Sequence, residues 1–466
     1  MAYTLQQSTA YKTMPAATDW IYTVLSNFNT QYKFKYLVQV YGGPIGATYL
    51  GLFKFSPNST GSGVINISNI LEQYVASDNL GSIFPLVESS FKGVDNVAGS
   101  ECPIHCIDNL SLNTYAVQQI TLKFGMEYAN TPNVAPNTYL NNFTVSGLVT
   151  FNGVAYNNEG DYVSGNYGIN LSDWNSNNFY PLNTSSKFLT DAPTNSQFIG
   201  DNDYATLALL TGKFPDLPSS AYPLPDSYRV TFFDDTNTTI GAAVTKDFNG
   251  NGGFVPPVPF LQFSESNLQY LGVGIANFKG AGITVPTNWN SYTVILIENL
   301  LTVTDTYTYV KQNADCKGFE KIRLTWLNKY GVWDYYNFTK KNTKTTDIKR
   351  TVFNKVKGNW NGDKFIKYGY QRGSTTLNNS ALETMSLNSD WFRSDEEAAW
   401  IEQLFISPEV YILNGFDATD TAPADFGKYM IPVTVTSKSY DKFTEANDKV
   451  AQYNIDIEYA IDKRIQ

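Results

Sequence analysis

The stretch that decides the fold is residues 319–338, which read Phe-Glu-Lys-Ile-Arg-Leu-Thr-Trp-Leu-Asn-Lys-Tyr-Gly-Val-Trp-Asp-Tyr-Tyr-Asn-Phe. Ile322, Leu324 and Trp326 occupy alternate positions, which is the period of a strand with one buried face. An Asn-Lys-Tyr-Gly turn follows, in which Gly331 is free to adopt positive φ. The aromatic segment after it predicts the returning strand. The stretch is therefore predicted to be a β-hairpin that serves packing rather than chemistry.

The composition favours strands over helices. Only 16% of the residues are charged and 15% are aromatic, whereas soluble proteins usually contain about 25% charged residues. Asn, Ser, Thr and Tyr must supply much of the polar surface, and these residues suit strands and turns. A chain of 466 residues exceeds the ~250 residues at which single cores stop growing. We therefore predict an all-β protein with several sandwich-like or barrel-like domains.

The charge balance and the lack of a long apolar run argue against nucleic acids and membranes as partners. Lys and Arg number 33 against 43 Asp and Glu, a net charge of −10, and nucleic-acid binders are usually basic. The Lys-rich run Lys340–Lys357 is interpreted as a solvated loop between strands. No apolar run approaches the ~18 residues of a membrane span. The N-terminal residues lack a basic region followed by an apolar core, so we expect folding in a cytoplasm.

Alternating apolar residues and glycine turns divide the chain into four predicted regions. Residues 1–128 are predicted to form an N-terminal β-sandwich with a short helix from Ser68 to Val75. Residues 129–226, rich in Asn, Ser and Thr, are predicted to be an elaborated or inserted region of strands and loops. Residues 227–310 are predicted to be a middle β region.

Two short patterns lie in the Asn-rich region. Asn152-Gly153 stands between two apolar runs, which predicts a hairpin turn. Ala205 to Leu210 is a continuous apolar run, and a buried strand and a short helix both fit it.

Residues 311–466 are predicted to be a C-terminal β domain with one helix over 394–406. Ser394-Asp-Glu-Glu forms a capping box, with its acids at the positive end of the helix dipole, and Pro408 ends the helix. Trp391 is also predicted to lie in a core. We assign packing or assembly roles to the large apolar side chains of the hairpin and the helix, namely Trp326, Trp333, Tyr335, Trp400, Ile401, Leu404 and Phe405.

The cysteines supply one candidate metal site. Cys102, His105 and Cys106, with Cys316, provide the ligand types of structural zinc. The spacing departs from the usual Cys-x₂-Cys pattern, and adjacent residues of a strand face opposite ways. We predict reduced, metal-free cysteines.

The segment from Asp247 to Gly252, Asp-Phe-Asn-Gly-Asn-Gly, resembles the start of a calcium loop. Position twelve of such a loop needs an acidic ligand, and Val258 stands there. A glycine-rich turn is predicted instead.

No catalytic signature is present in the sequence. It contains one histidine and no Gly-x-Ser-x-Gly or phosphate-loop pattern, which disfavours nucleophilic catalysis and nucleotide hydrolysis. A glycosidase stays open, because its paired carboxylates need no local motif. We predict no enzyme activity, no catalytic residue and no cofactor.

Three segments together resemble a known group of proteins. They are Lys321–Phe338, Ser394–Tyr411, and the closing strands Met430–Val435 and Tyr453–Tyr459. These phrases resemble large β-rich virion proteins of tailed bacteriophages, particularly phages of Bacteroidetes-type hosts, which are regarded as tail or baseplate components. The N-terminal succession of strand, glycine turn, strand and helix through Val75 is similar too.

The resemblance implies a non-enzymatic subunit that assembles in many copies with other virion proteins. The expected function is a tail component, made in the host cytoplasm and found in the virion, as a homo-oligomer or hetero-assembly. A host-surface protein that binds or cleaves glycans is the alternative from another class. A capsid or head-decoration subunit is the third.

Overall fold

The computed structural model describes residues 3–43, 48–76, 111–113, 116–155, 186–211, 225, 227–247, 267–280, 283–298, 300–312, 318–370, 373–392, 394–414, 430–440, 452–460 and 463–465. The chain divides into two compact units. Unit 1 contains the described residues within 1–312 and 326–335, and unit 2 contains those within 313–325, 336–414 and 428–466. Strand dominates the structure, and the described residues contain three helices. The predicted all-β, multidomain fold is confirmed.

Unit 1 contains two helices, α1 (Ser68–Tyr74) and α2 (Ile275–Gly280). Its strands in chain order are β1 (Tyr3–Gln7), β2 (Thr13–Ala17), β3 (Ile21–Ser26), β4 (Tyr32–Gly42), β5 (Thr48–Phe55), β6 (Gly63–Asn66), β7 (Ser111–Asn113), β8 (Val117–Ala129), β9 (Asn137–Val154), β10 (Gln197–Ile199), β11 (Thr206–Thr211), β12 (Ser227–Phe233), β13 (Val244–Asp247), β14 (Asn267–Gly272), β15 (Ser291–Glu298), β16 (Leu301–Thr302) and β17 (Tyr307–Lys311).

The first part of unit 1 is a sandwich of two sheets. The larger sheet has the order β2-β9-β8-β4-β5 and the smaller one the order β1-β3-β6. Alternate side chains of both sheets point into one core, as their period of two requires. Tyr22 of β3 meets Phe124 of β8 with ring centroids 5.6 Å apart, and both rings are fully buried. The larger sheet includes β9, so it extends past residue 128.

The second part of unit 1 has a separate aromatic core. One sheet has the order β10-β17-β15-β12-β13, with β16 paired to β15, and a second has the order β11-β14-β7. Tyr292 lies at the centre, stacked on Tyr309 at 5.1 Å and donating from its hydroxyl to the Val273 carbonyl at 2.7 Å. The apolar run from Ala205 to Leu210, which fitted both a strand and a helix, lies almost entirely in strand β11.

The predicted turn at Asn152-Gly153 is wrong, because β9 runs through it to Val154. Both edges of this segment already have backbone partners distant in sequence. The Asn152 amide donates to the Ala116 carbonyl at 2.7 Å, and β2 pairs with β9 in parallel. These tertiary hydrogen bonds outweigh the local turn preference of Asn-Gly.

Unit 2 is built on one large sheet, a separate two-stranded sheet and the helix α3 (Asp395–Ile406). The strands in chain order are β18 (Ile322–Leu327), β19 (Trp333–Phe338), β20 (Asn342–Asn354), β21 (Asn359–Asn361), β22 (Lys364–Ile366), β23 (Ser374–Asn388), β24 (Val410–Leu413), β25 (Met430–Val435), β26 (Asn454–Tyr459) and β27 (Lys463–Ile465). The large sheet has the order β19-β18-β24-β25-β26-β23-β20, with β27 paired to β23, and β21 and β22 form the two-stranded sheet. The turn end of the β18–β19 hairpin, residues 326–335, is counted with unit 1.

Helix α3 confirms the prediction for residues 394–406. The Ser394 hydroxyl accepts a hydrogen bond from the Glu397 amide at 3.1 Å, and three acidic residues occupy the first turn. Trp400, Ile401 and Leu404 are buried, as the apolar stripe predicts. In the described part of the chain, no helix has both the length and the apolar character needed to cross a membrane.

The interpretation of Lys340–Lys357 as a loop is wrong, because β20 occupies Asn342–Asn354. Its Thr, Ile and Val residues are β-branched and suit a strand. Beyond Asn342 every side chain of β20 is exposed, so both faces of the strand meet water. The many charges reflect that double exposure and do not signal irregular backbone.

Candidate functional site

The hairpin residues assigned to packing or assembly lie inside unit 1. Trp326 and Trp333 are buried. Tyr335 is partly buried against the second aromatic core, and its hydroxyl lies 2.7 Å from the Thr206 hydroxyl. These three side chains contribute packing within the chain and present little surface to a partner.

The hairpin turn is held by polar contacts with the segment 189–191. The Asn328 side-chain amide donates to the Leu189 carbonyl at 3.0 Å, and Lys329 pairs with Asp191 at 2.6 Å. The Tyr330 hydroxyl donates to the same carboxylate at 2.8 Å. Burial, and then the charge of Asp191, raises the pKa of Tyr330 well above its ordinary value. The phenol therefore stays protonated and acts as a structural donor, not as a general base.

Gly331 confirms the predicted positive φ, with a value of 74°. The Lys329 carbonyl accepts from the Val154 amide at 2.7 Å, which brings the turn against β9. These hydrogen bonds and the ion pair hold the hairpin turn against β9 and residues 189–191 within unit 1.

The helix residues assigned to packing or assembly lie inside unit 2. Trp400, Ile401 and Leu404 are buried, and Trp400 meets Tyr336 at a centroid distance of 6.0 Å. Phe405 is partly buried and packs on Tyr440 at 4.9 Å. This set belongs to unit 2, whereas the hairpin set belongs to unit 1.

Trp391 was also expected in a core, and that expectation is wrong because 59% of the side chain is exposed. Its neighbour Phe392 is buried instead. Adjacent side chains of an extended segment face opposite ways. The sequence pattern was therefore equally compatible with burial of Trp391 and with burial of Phe392.

Both metal candidates fall outside the described residues. The residues concerned are the zinc candidates Cys102, His105, Cys106 and Cys316, and, from the calcium-loop candidate, residues 248–252 and Val258. The predictions of metal-free cysteines and of a glycine-rich turn stay predictions.

The surface that stands out is a long two-stranded ribbon in unit 2. We call residues 342–388 the arm. β20 pairs antiparallel with β23 from Asn342 opposite Leu387 to Asn354 opposite Ser374, a span of roughly 40 Å at the usual rise per residue. A small hairpin of β21 and β22 lies between the two strands in sequence, closed by Gly362 at a φ of 61°.

Few neighbouring strands support the arm along its length. β26 pairs with β23 only over Thr384–Asn388, and β27 pairs with it only over Asn379–Ala381. β20 ends the sheet order, so its outer edge has no strand neighbour among the described residues. A two-stranded ribbon by itself is only marginally stable in water.

Apolar and aromatic side chains are unusually exposed on the arm. Trp360 is 73% exposed and Tyr370 is 80% exposed. Trp360 contacts Phe365 edge to face at 5.4 Å, and Tyr368 stacks on Tyr370 at 5.6 Å. The complete set of exposed large apolar side chains on the arm is Ile348, Val352, Phe353, Val356, Trp360, Phe365, Tyr368, Tyr370 and Leu377. Exposed apolar side chains that gather in one segment in this way are typical of an interaction site.

The arm also differs from the rest of the chain in charge. Residues 342–388 contain eight Lys and Arg residues against three Asp and Glu residues, a net charge of +5. Subtracting these from the totals of 33 and 43 leaves 25 and 40 in the remainder, a net charge of −15. The exposed apolar side chains of the arm therefore belong to a basic segment of an acidic protein.

Sequence reasoning missed the arm, although two signals pointed to it. β-branched residues recur through Thr343–Val352, which favours a strand. Asn361-Gly362-Asp363 is a tight-turn signal between two short segments that contain Trp360 and Phe365. The high Lys content concealed both signals.

No family model matches the sequence, and the comparison with curated proteins also gives no match.

Proposed function

We propose that the chain is a non-enzymatic structural subunit of a tailed-phage virion, and that it is a tail component of the tail, baseplate or hub type. The observation that carries the proposal is the arm, which exposes aromatic side chains and a strand edge that an assembly would cover. Low charge and abundant aromatic residues suit permanent protein–protein interfaces. The resemblance of Lys321–Phe338 and Ser394–Tyr411 to phage virion proteins supports the same assignment.

The experiment that tests the proposal is the localisation of the chain in purified particles of the phage that encodes it. Mass spectrometry of the particles should detect the chain, and gold-labelled antibody should place it on the tail. A head position would instead support the capsid or decoration function. Absence from intact particles, with the chain present in the infected cell, would refute a virion role.

A second candidate is a glycan-binding host-surface protein, which the exposed rings of Trp360 and Tyr370 favour. Aromatic faces can stack on sugar rings, and such a role needs no catalytic residue. An oligosaccharide array separates this candidate from the first. Specific binding that Trp360→Ala abolishes would support it, and measurable hydrolysis would contradict the non-enzymatic assignment.

A further inference from the structure

We propose that the arm of one copy docks on the acidic remainder of a second copy of this chain. The inference rests on the proposed function as an assembly subunit and names the partner of the arm. It also assigns the contact a polarity, because the two surfaces that meet are different parts of the chain.

The arm lacks a second layer that would bury its exposed side chains. Every residue of β20 after Asn342 is exposed, so neither face of that strand rests on a second layer. The end near Asn354 and Ser374 lies beyond the reach of β26 and β27. A two-stranded ribbon gains stability from further strands or from packing on one face. Burial of the exposed rings of the arm supplies that packing.

A second copy of this chain has the charge that would complement the arm. A basic apolar surface is complementary to an acidic one, and complementary charge both steers association and fixes the register. The remainder of this same chain carries −15 against +5 on the arm. A solution of the protein therefore always contains a suitable acceptor at the concentration of the protein itself.

The same charges disfavour other occupants. Two arms that pair edge to edge would bring +5 against +5, and like charges face each other at a cost. A nucleic acid or an anionic membrane would attract the arm, but the −15 of the remainder would repel either one.

The two sides of the contact are different surfaces, so the contact can extend in two ways. Two copies can exchange arms reciprocally and close as a two-fold dimer, or the contact can repeat head to tail and form a ring or a helical tube. In each case every arm is covered by a neighbouring copy. We therefore expect oligomers whose formation depends on protein concentration.

The first experiment is sedimentation velocity of the full chain at increasing protein concentration in 50 mM and 500 mM salt, concentrations chosen to span a several-fold change in Debye length. Dimers or larger species should form at low salt. Their apparent dissociation constant should rise about tenfold or more at high salt, because salt screens the attraction between exposed charges. A monomer throughout, or assembly that salt does not affect, would overturn the proposal.

A charge-reversed arm sharpens the test. Lys355, Lys357 and Lys367 are all exposed, and their triple change to Glu should abolish assembly. The matched control changes Lys35, Lys187 and Lys438, which are exposed residues of the remainder, to Glu with the same change in net charge. Because the control adds negative charge to the remainder, which accepts the basic arm, it should assemble at least as tightly as the wild type. Far-ultraviolet circular dichroism checks that both variants fold, and equal loss of assembly in the two would contradict the proposal.

The second experiment locates the acceptor. A photo-crosslinking amino acid at position 360 is introduced into a ¹⁵N-labelled copy, which is mixed with an unlabelled wild-type copy. Mass spectrometry should place the crosslinks in unlabelled peptides outside residues 342–388. Crosslinks confined to residues 342–388 would mean arm-to-arm pairing and would overturn the proposal. Crosslinks only to the same ¹⁵N-labelled copy would overturn it as well.

The two proposals fail in different ways. The docking experiments use purified chain alone, whereas the virion role depends on particles. Arm docking without virion localisation refutes only the phage assignment. Virion localisation with a monomeric chain refutes only the docking.

Discussion

Gly331 lies so close to the backbone carbonyl of Asn152 that any Cβ at position 331 would overlap that oxygen. The two residues are distant in sequence, and both belong to unit 1. Their contact explains why the hairpin turn needs glycine at this position.

Gly331→Ala should therefore lower the free energy of unfolding by about 3 kcal/mol or more, from the positive φ and the overlap with backbone together. Gly147 is the matched control, because its φ is 71° and no atom lies near its missing Cβ. Gly147→Ala should cost only the backbone term, about 1–2 kcal/mol. Urea unfolding followed by circular dichroism measures both variants. Equal losses would mean that the Asn152 carbonyl moves aside without cost.

Trp400→Ala should lower the stability of unit 2 by about 3–5 kcal/mol, the usual cost of a large cavity in a core. Trp400 is 4% exposed and touches Tyr336. Trp391→Ala is the control within the same unit and should change stability by about 0.5 kcal/mol or less, because Trp391 is mostly exposed. Chemical denaturation monitored by circular dichroism distinguishes the two. A large effect of Trp391→Ala would show that its ring is covered in solution.

Ser394→Ala should cost about 1 kcal/mol, since the hydroxyl satisfies the Glu397 amide at the start of α3. Ser394→Asn retains a side-chain acceptor and should be near neutral. Thermal unfolding of the two variants gives the comparison. If both lose the same stability, the cap hydrogen bond is not the cause.

Alkaline pH should destabilise the protein through its buried tyrosines. Burial raises the pKa of Tyr22 to about 12, whereas a tyrosine in the unfolded chain has a pKa of about 10. Between these values the unfolded state binds fewer protons, so the free energy of unfolding falls by ~1.4 kcal/mol per pH unit for this one group. The full contribution is present below pH ~10 and is lost as the pH rises towards 12.

Tyr22→Phe removes that titration and leaves the ring. Its free energy of unfolding, measured at pH 8, 9, 10 and 11, should fall less steeply above pH ~10 than that of the wild type. Parallel pH profiles would show that Tyr22 ionises equally in both states.

The strongly periodic segments of the sequence predicted their own structure. Apolar spacing and capping residues predicted the strands of the first sheets, the hairpin at 319–338 and helix α3. The alternation in the hairpin predicted one buried face for its first strand, and this part is wrong, because every residue of β18 is buried. Ala205–Leu210 is buried throughout and β20 is exposed on both faces. Neither segment alternates, so the first stayed ambiguous and the second was mistaken for a loop. The turn prediction at Asn152-Gly153 failed for another reason, because the backbone partners of this segment, the Ala116 carbonyl and strand β2, are distant in sequence and leave no local trace.

The candidate site was less accessible to sequence reasoning than the fold. The sequence around Trp326 and Trp400 was compatible with a packing role and with an assembly role. Only the burial of both side chains in the structure shows that they pack within the chain. Trp360 and Tyr370 lie among lysines, so their exposure follows from the ribbon and not from a pattern in the chain.

The parallel pairing of β2 with β9 sets an order of events at the ribosome. Thr13 pairs with Val149, so 136 positions separate them (from 13 to 149). At ~5–20 residues per second, translation takes roughly 7–27 seconds to cover that distance. β4 and β5 can pair early, β8 and β9 are added as they emerge, and only then does β2 acquire its neighbour. A strand among the first to leave the ribosome is thus the last to enter its sheet.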